Sequence, residues 1–315
     1  MLIDDLGMSV IIVDAGRKRA AHLGYSRSGP IDENSFRLAN YLVGQDMHAA
    51  AIESYQGQLS WYAEETCNFA VTGAVSPLFI DGVEHPCNQA INIVAGQYVE
   101  LGAAIKGGYN YISFDRALDL TRIKGSCTTV NREGVGGLRG DGSKLKAGDQ
   151  LRFDGPARSI KPLVARQNLF TPIEAQYDIR FALGQEFASF DKDDLLIAQH
   201  NYFTVTSAMD RMGVRLDGPN ISYKGQAERL PSAGLPANTI QVTSGGQVII
   251  MLADSQTIGG YPKLGAVIKA DAYKFGQMSP GSQIRLIPVD ALTARQAFIL
   301  YEQKWRSLFD SMSKK

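Results

Sequence analysis

Between residues 58 and 153 the chain is cut into short apolar runs, each ended by turn residues. The runs lie at 58–62, 69–72, 78–80, 91–94, 98–101, 109–114 and 150–153. Spacing this even leaves no room for crossover helices. It therefore argues against βαβ units and predicts an antiparallel sandwich or barrel. The 32 glycines supply the tight turns that such a fold needs.

Ahead of these runs, residues 8–14 read as a first strand, followed by the polar loop 24–30 and one clear helix. Pro30 suits the first helical turn, Asp32 and Glu33 its positive end, and Gly44 its stop. Ile31, Ser35, Leu38, Ala39 and Leu42 fall on one face, predicted to be the buried one. The second half repeats the short-strand pattern at 179–183, 202–205, 214–217, 239–243, 247–253, 264–269 and 283–289. It adds an acidic helix at 191–198, a helical turn at 271–277 and a closing helix over 291–306 capped by Asp290. A length of 315 residues favours two domains, at about 150 residues each. We place them at 1–155 and 177–315, with the Pro-, Arg- and Gln-rich stretch 156–176 as linker. Lys146-Ala-Gly-Asp-Gln-Leu-Arg-Phe153 and Ser279-Pro-Gly-Ser-Gln-Ile-Arg-Leu286 echo one another at the ends of the two halves, consistent with a duplicated β domain.

Lys and Arg balance Asp and Glu at 32 each, so there is no electrostatic case for nucleic acid or an anionic membrane. No apolar run approaches the length of a membrane span, and the N-terminus lacks a signal-type pattern. Cys67, Cys87 and Cys127 are scattered and odd in number, which suits a reducing cytoplasm. His22, His48, His85 and His200 share no metal-ligand spacing, so no metal site is expected. There is no Walker-type loop and no GxSxG elbow. The run Gly134-Val-Gly-Gly-Leu-Arg-Gly-Asp-Gly142 fails GxGxxG and reads as a flexible surface loop, or else as an anion nest with Arg132 and Arg139.

Two stretches carry chemistry. Asp254-Ser-Gln-Thr-Ile-Gly-Gly-Tyr-Pro262 follows a buried-strand pattern and gathers Gln256, Thr257, the bare backbone of Gly259 and Gly260, and the phenol of Tyr261. Met209-Asp-Arg-Met-Gly213 sets Asp210 beside Arg211. The pair suits binding of a carboxylate or phosphate and movement of a proton, or else plain bonding to a turn backbone. We take Asp210, Arg211 and Tyr261 as candidate catalytic groups. Gln241, Gln256, Thr257, Gly259 and Gly260 are candidate substrate-binding groups; the glycine pair, Gln256 and Tyr261 are predicted to line a cleft at the mouth of the second barrel. Ser28 and Asp32, at a helix N-terminus, are added as binding candidates, although capping explains them equally well.

Taken in order, Gly24…Ser28-Gly-Pro-Ile-Asp32, Ala39-Asn40…Gly44, Ile52-Glu53, Ser207–Leu216, Ile240-Gln241 and Asp254…Pro262 resemble the biotin-dependent carboxyltransferase-like family. That family is also called allophanate hydrolase subunit 2, or KipA, and includes the C subunit of bacterial 5-oxoprolinase. The resemblance spans nearly the whole chain. It implies a mainly β protein of two tandem cyclophilin-like β-barrel domains with a few short helices. It further implies two partner subunits, one KipI-like and one LamB/YcsF-like, a small amide or lactam as substrate, and ATP shared with those partners. In the same family, the alternatives are carboxyl transfer from carboxybiotin to a urea-like nitrogen, or regulatory binding without catalysis. The chain carries no biotinylation site of its own. It departs from the family pattern at Val13-Asp14-Ala15 and at Asp115-Arg116-Ala117.

Overall fold

A computed structural model describes residues 1–158, 160, 172–225 and 230–313, with side chains through residue 307. Residues 159 and 161–171 of the predicted linker lie outside the described residues. The chain forms two compact units: Met1–Arg19 with Ser28–Ile173, and Ala20–Arg27 with Glu174–Lys315.

The first unit is a pair of five-stranded antiparallel sheets. One runs in the order Leu2–Leu6, Gly57–Tyr62, Tyr98–Ala103, Leu78–Ile80, Val83–His85. The other runs Ser9–Val13, Ala51–Tyr55, Lys106–Phe114, Cys67–Val75, Ala90–Ile93. Alternation puts Leu59 and Trp61 inside while Gln58 and Tyr62 face water. Trp61 meets Phe69 and Phe114 of the opposite sheet edge-on, at 5.4 and 6.4 Å between ring centres, so the two sheets share one core. The strands at Leu2–Leu6, Ala51–Tyr55 and Val83–His85 are absent from the predicted runs. Each carries acids that mask an apolar pattern, and in Ala51–Tyr55 the acid, Glu53, is itself buried.

The predicted helix forms at Glu33–Leu42, with the Asp32 carboxylate accepting from the N–H groups of Asn34 and Ser35. Its environment differs from a one-faced helix: Asn34, Arg37 and Asn40 are buried along with Phe36, Leu38 and Leu42. The polar side therefore looks into protein, not solvent. The segment Gly134–Gly142 is also packed rather than a loose loop. Gly136 and Gly142 have φ of 75° and 77°, and a Cβ on them would strike the carbonyls of Thr128 and Val130.

The second unit is a closed seven-stranded barrel. Its order is Gln176–Leu183, Lys263–Val267, Thr239–Val242, Val248–Met251, Gly213–Asp217, Phe203–Met209, Gln283–Val289. The last strand returns to the first in parallel, pairing Gln176 with Gln283 through Ala182 with Val289, while the other neighbours are antiparallel. Phe181, Val214, Ile240, Val242, Val248, Ile250 and Leu286 are buried. Helix Ala291–Ser313 follows; the Asp290 carboxylate accepts from Thr293 N–H at 2.7 Å, and Tyr301 stacks on Tyr273. The sequence echo has unequal fates. Gln283–Val289 is a full barrel strand, whereas in the first unit Gly148 N–H donates to the carbonyl of Ile3 and Leu151 N–H to that of Met1, with a two-residue strand only at Phe153–Asp154.

Candidate functional site

The two motif stretches of the second half meet because their flanking strands pair, Gly213 standing opposite Met251. The ladder continues past the strand ends, with Leu252 N–H donating to the carbonyl of Met212 and Asp254 N–H to that of Arg211. This brings the Arg211 guanidinium onto the Asp254 carboxylate. Nε donates to Oδ2 at 2.8 Å and Nη2 to Oδ1 at 2.9 Å, a bidentate pair with both side chains mostly buried. Asp210 turns the chain: its Oδ1 accepts from the N–H groups of Met212 and Gly213 at 2.7 and 3.1 Å. The acid and base adjacent in sequence therefore do not pair with each other. The partner of Arg211 is Asp254, a link that neighbouring residues alone could not reveal.

Beyond Asp254 the chain forms a narrow ribbon, Ile258–Gly259 against Ala233–Gly234, with Leu235 N–H donating to the carbonyl of Thr257. Beneath it lies Gln241. Its neighbours Ile240 and Val242 pair with Ile250 and Val248, whereas Gln241 stands opposite Ile249 and Lys263. By strand alternation its side chain belongs to the outer wall of the barrel. It is nonetheless only 2% exposed, because the ribbon covers it. A Cβ on Gly259 would sit 3.0 Å from Gln241 Nε2. That Nε2 is buried without a hydrogen-bond partner among the described residues. A buried donor left unmade costs about 1–3 kcal/mol, so an acceptor brought to this amide would be stabilised.

Gln256, Thr257 and Gly260 are half-buried, and Tyr261 is 48% exposed rather than part of a core. Lys263 N–H donates to Glu186 Oε2 at 2.6 Å and fixes the strand that follows. Thus Asp210, Arg211 and Asp254 share one turn of the second unit, while Gln241 lies under the ribbon that includes Gly259. Residue types and spacing do not single out Glu186 or Lys263 as site-shaping groups, and they do not pair Asp254 with Arg211, because each acts through a partner distant in sequence.

Ser28 and Asp32 belong to the first unit. Ser28 has φ of 54°, and the Asp32 carboxylate, fully buried, caps its helix and also accepts from Ser35 Oγ. The other predicted anion nest is also committed internally, Arg132 to Glu133 and Arg139 to Asp149. Burial raises the Cys67 thiol to about 12 and that of Cys87 to about 11, so neither is a nucleophile near neutrality. Among the described residues no group of three or more His, Cys, Asp or Glu is placed to hold a metal ion, and no helix is long and apolar enough to cross a membrane.

The family described as "Carboxyltransferase domain, subdomain A and B" matches residues 23–288. The C subunit of Escherichia coli 5-oxoprolinase is 32% identical over 297 residues, covering 92% of each chain. Urea amidolyase of Saccharomyces cerevisiae is 27% identical over 89% of this chain but only 16% of its own length. The crystal structure of the Kluyveromyces lactis urea amidolyase shares the fold with a TM-score of 0.89 at 24% identity. There the chain spans 19% of the larger protein and aligns over 96% of its own length.

Proposed function

The chain belongs to the family of carboxyltransferase domains with subdomains A and B, and from that membership we propose that it is one subunit of an ATP-dependent 5-oxoprolinase-type amidohydrolase. Its substrate in this reading is a small lactam, 5-oxo-L-proline, opened to glutamate together with two partner subunits, one KipI-like and one LamB/YcsF-like. The observation that carries the reading is the Gln241 carboxamide, sealed under the 258–259 ribbon with an unfilled donor. An amide carbonyl is the acceptor such a donor lacks, and a preorganised donor in a water-poor site stabilises the charge that builds on that oxygen. Tyr261, half in water, adds a second donor, its hydroxyl. The outer oxygen of Asp210, which has no partner among the described residues, accepts a proton. Arg211 is neutralised by Asp254, so its role is to hold the turn rather than to capture a free carboxylate. The near-complete overlap with the Escherichia coli protein favours this reading over one drawn from the much longer urea amidolyases. The buried and half-buried free thiols fit action in the cytoplasm.

The test is reconstitution with both partner subunits and measurement of 5-oxoproline-dependent ATP hydrolysis. Gln241→Ala is expected to lower turnover by about 100-fold, the usual loss for one donor to a developing oxyanion. Full activity in Gln241→Ala, or in a mixture lacking this chain, would sink the reading. The second reading is carboxyl transfer from a separate biotin carrier to a urea-like nitrogen, favoured by the family description and by the shared fold with urea amidolyase. Carboxylated urea formed only when this chain is added to charged carrier would establish it instead.

A further inference from the structure

The first unit carries a separate cavity of about 200 Å³, walled by the turn after strand Ser9–Val13, by His48, and by the loop Arg122–Gly125. We infer that this cavity is a binding site for a phosphate-type oxyanion, gripped by Lys18 and Lys124 and floored by the Asp14–Arg122 pair.

Asp14 is committed to the wall. Oδ1 accepts from Gly16 N–H, Ser126 Oγ and Thr128 Oγ1; Oδ2 accepts from Arg122 Nη1, Cys127 N–H and Cys127 Sγ. With both oxygens filled, the carboxylate has no capacity left for a cation. The remaining charge in the lining is positive: Lys18, Arg122 and Lys124 against Asp14 leave a surplus of two, before any proton on His48. Lys18 and Lys124 have no ion-pair partner among the described residues, whereas Arg122 is already paired.

The loop itself is an independent observation. Ile123 and Ser126 exchange backbone hydrogen bonds across Lys124 and Gly125, whose φ values are 53° and 82°. A turn with both central residues left-handed strongly prefers Asn, Asp or Gly, and a lysine there is strained. Strain of this kind recurs at ligand clamps, and here it sets a lysine at the lip of a cavity. Two separate ammonium groups suit an oxyanion whose charge is spread over three oxygens, since lysine binds phosphate as a point charge. Two ammonium groups attract a multiply charged phosphate more strongly than a singly charged carboxylate.

The site stands in the other unit from Gln241 and does not depend on the amide reading. Calorimetric titration of the full chain with inorganic phosphate at low salt should give saturable binding below about 1 mM, with acetate at equal ionic strength giving none. Lys124→Gly removes the cation and relieves the turn, so this variant should stay folded, melt no lower than the parent, and bind phosphate at least tenfold more weakly. Lys18→Gln should weaken binding similarly. ATP that displaces phosphate and binds more tightly would support the site and identify a nucleotide tail as its source; phosphate binding without ATP displacement would support it as a free-anion site. Absence of saturable phosphate binding, or binding unchanged in both variants, would overturn it.

Discussion

Asp14 and Asp271 show what a carboxylate needs in order to remain ionised inside a β protein. Burial pushes the pKa of Asp14 up, but the bonds from Ser126, Cys127 N–H, Thr128 and Gly16 outweigh it and leave the pKa below 3.8. Burial acts the same way on Asp271, where Arg180 and Lys274 reverse it; Arg180 donates Nε, Nη2 and its backbone N–H to that carboxylate. A folded-state pKa below the unfolded one means the stabilisation is fully present above about pH 4 and is lost as pH falls through the folded value. Both units should therefore weaken together in acid, to be read as falling urea midpoints below pH 4. Asp14→Ala, which strips the hub from six donors, is expected to cost roughly 3 kcal/mol in equilibrium denaturation at neutral pH. An unchanged midpoint would contradict the role given to the hub. The sequence marks Asp14 only as part of a departure from a family pattern, because five of its six donors come from residues 122–128, a separation no local pattern spans.

At the scale of elements, strand positions are largely legible, since alternation and turn residues are local properties. Leu78–Ile80 and Gln283–Val289 are bounded as expected from the sequence. Burial of polar faces is not legible: the helix Glu33–Leu42 looks amphipathic but is enclosed, and the glycine-rich stretch looks loose but is clamped. Site geometry is half legible. The loop 254–262 stands out by its residue types, but the ribbon that folds it over Gln241 depends on Ala233–Gly234, a segment with no motif of its own. Two glycines separate structure from function here. A Cβ at Gly265 would lie 2.2 Å from the carbonyl of Ala182, so Gly265→Ala should lower stability by about 2 kcal/mol or more. The atoms nearest to a Cβ at Gly259 belong to the side chains of Leu235 and Gln241, which can shift, so Gly259→Ala should leave the melting temperature within a few degrees while depressing activity of the reconstituted enzyme. Equal effects of the two on stability and activity would remove the distinction.

At the scale of the whole molecule, a mainly β architecture is readable from the short-run pattern. How the barrel closes is not: among the described residues only Phe203–Met209 with Gly213–Asp217 and Thr239–Val242 with Val248–Met251 pair as consecutive strands, whereas the parallel seam joins residues more than a hundred positions apart. Deleting 283–313 removes one side of that seam and of the pair with Phe203–Met209. The remaining second unit should lose its cooperative transition, while the first keeps its own, giving one unfolding step by calorimetry where the full chain gives two. Retention of both steps would show that the seam is dispensable.

The same seam sets a schedule for synthesis. Gln176–Leu183 emerges from the ribosome with an unsatisfied edge and must wait until Gln283–Val289 has followed. Every strand of the first unit has by then been made. For that interval the nascent barrel is an open sheet with a template for foreign strands, and it is there that a chaperone would find its substrate.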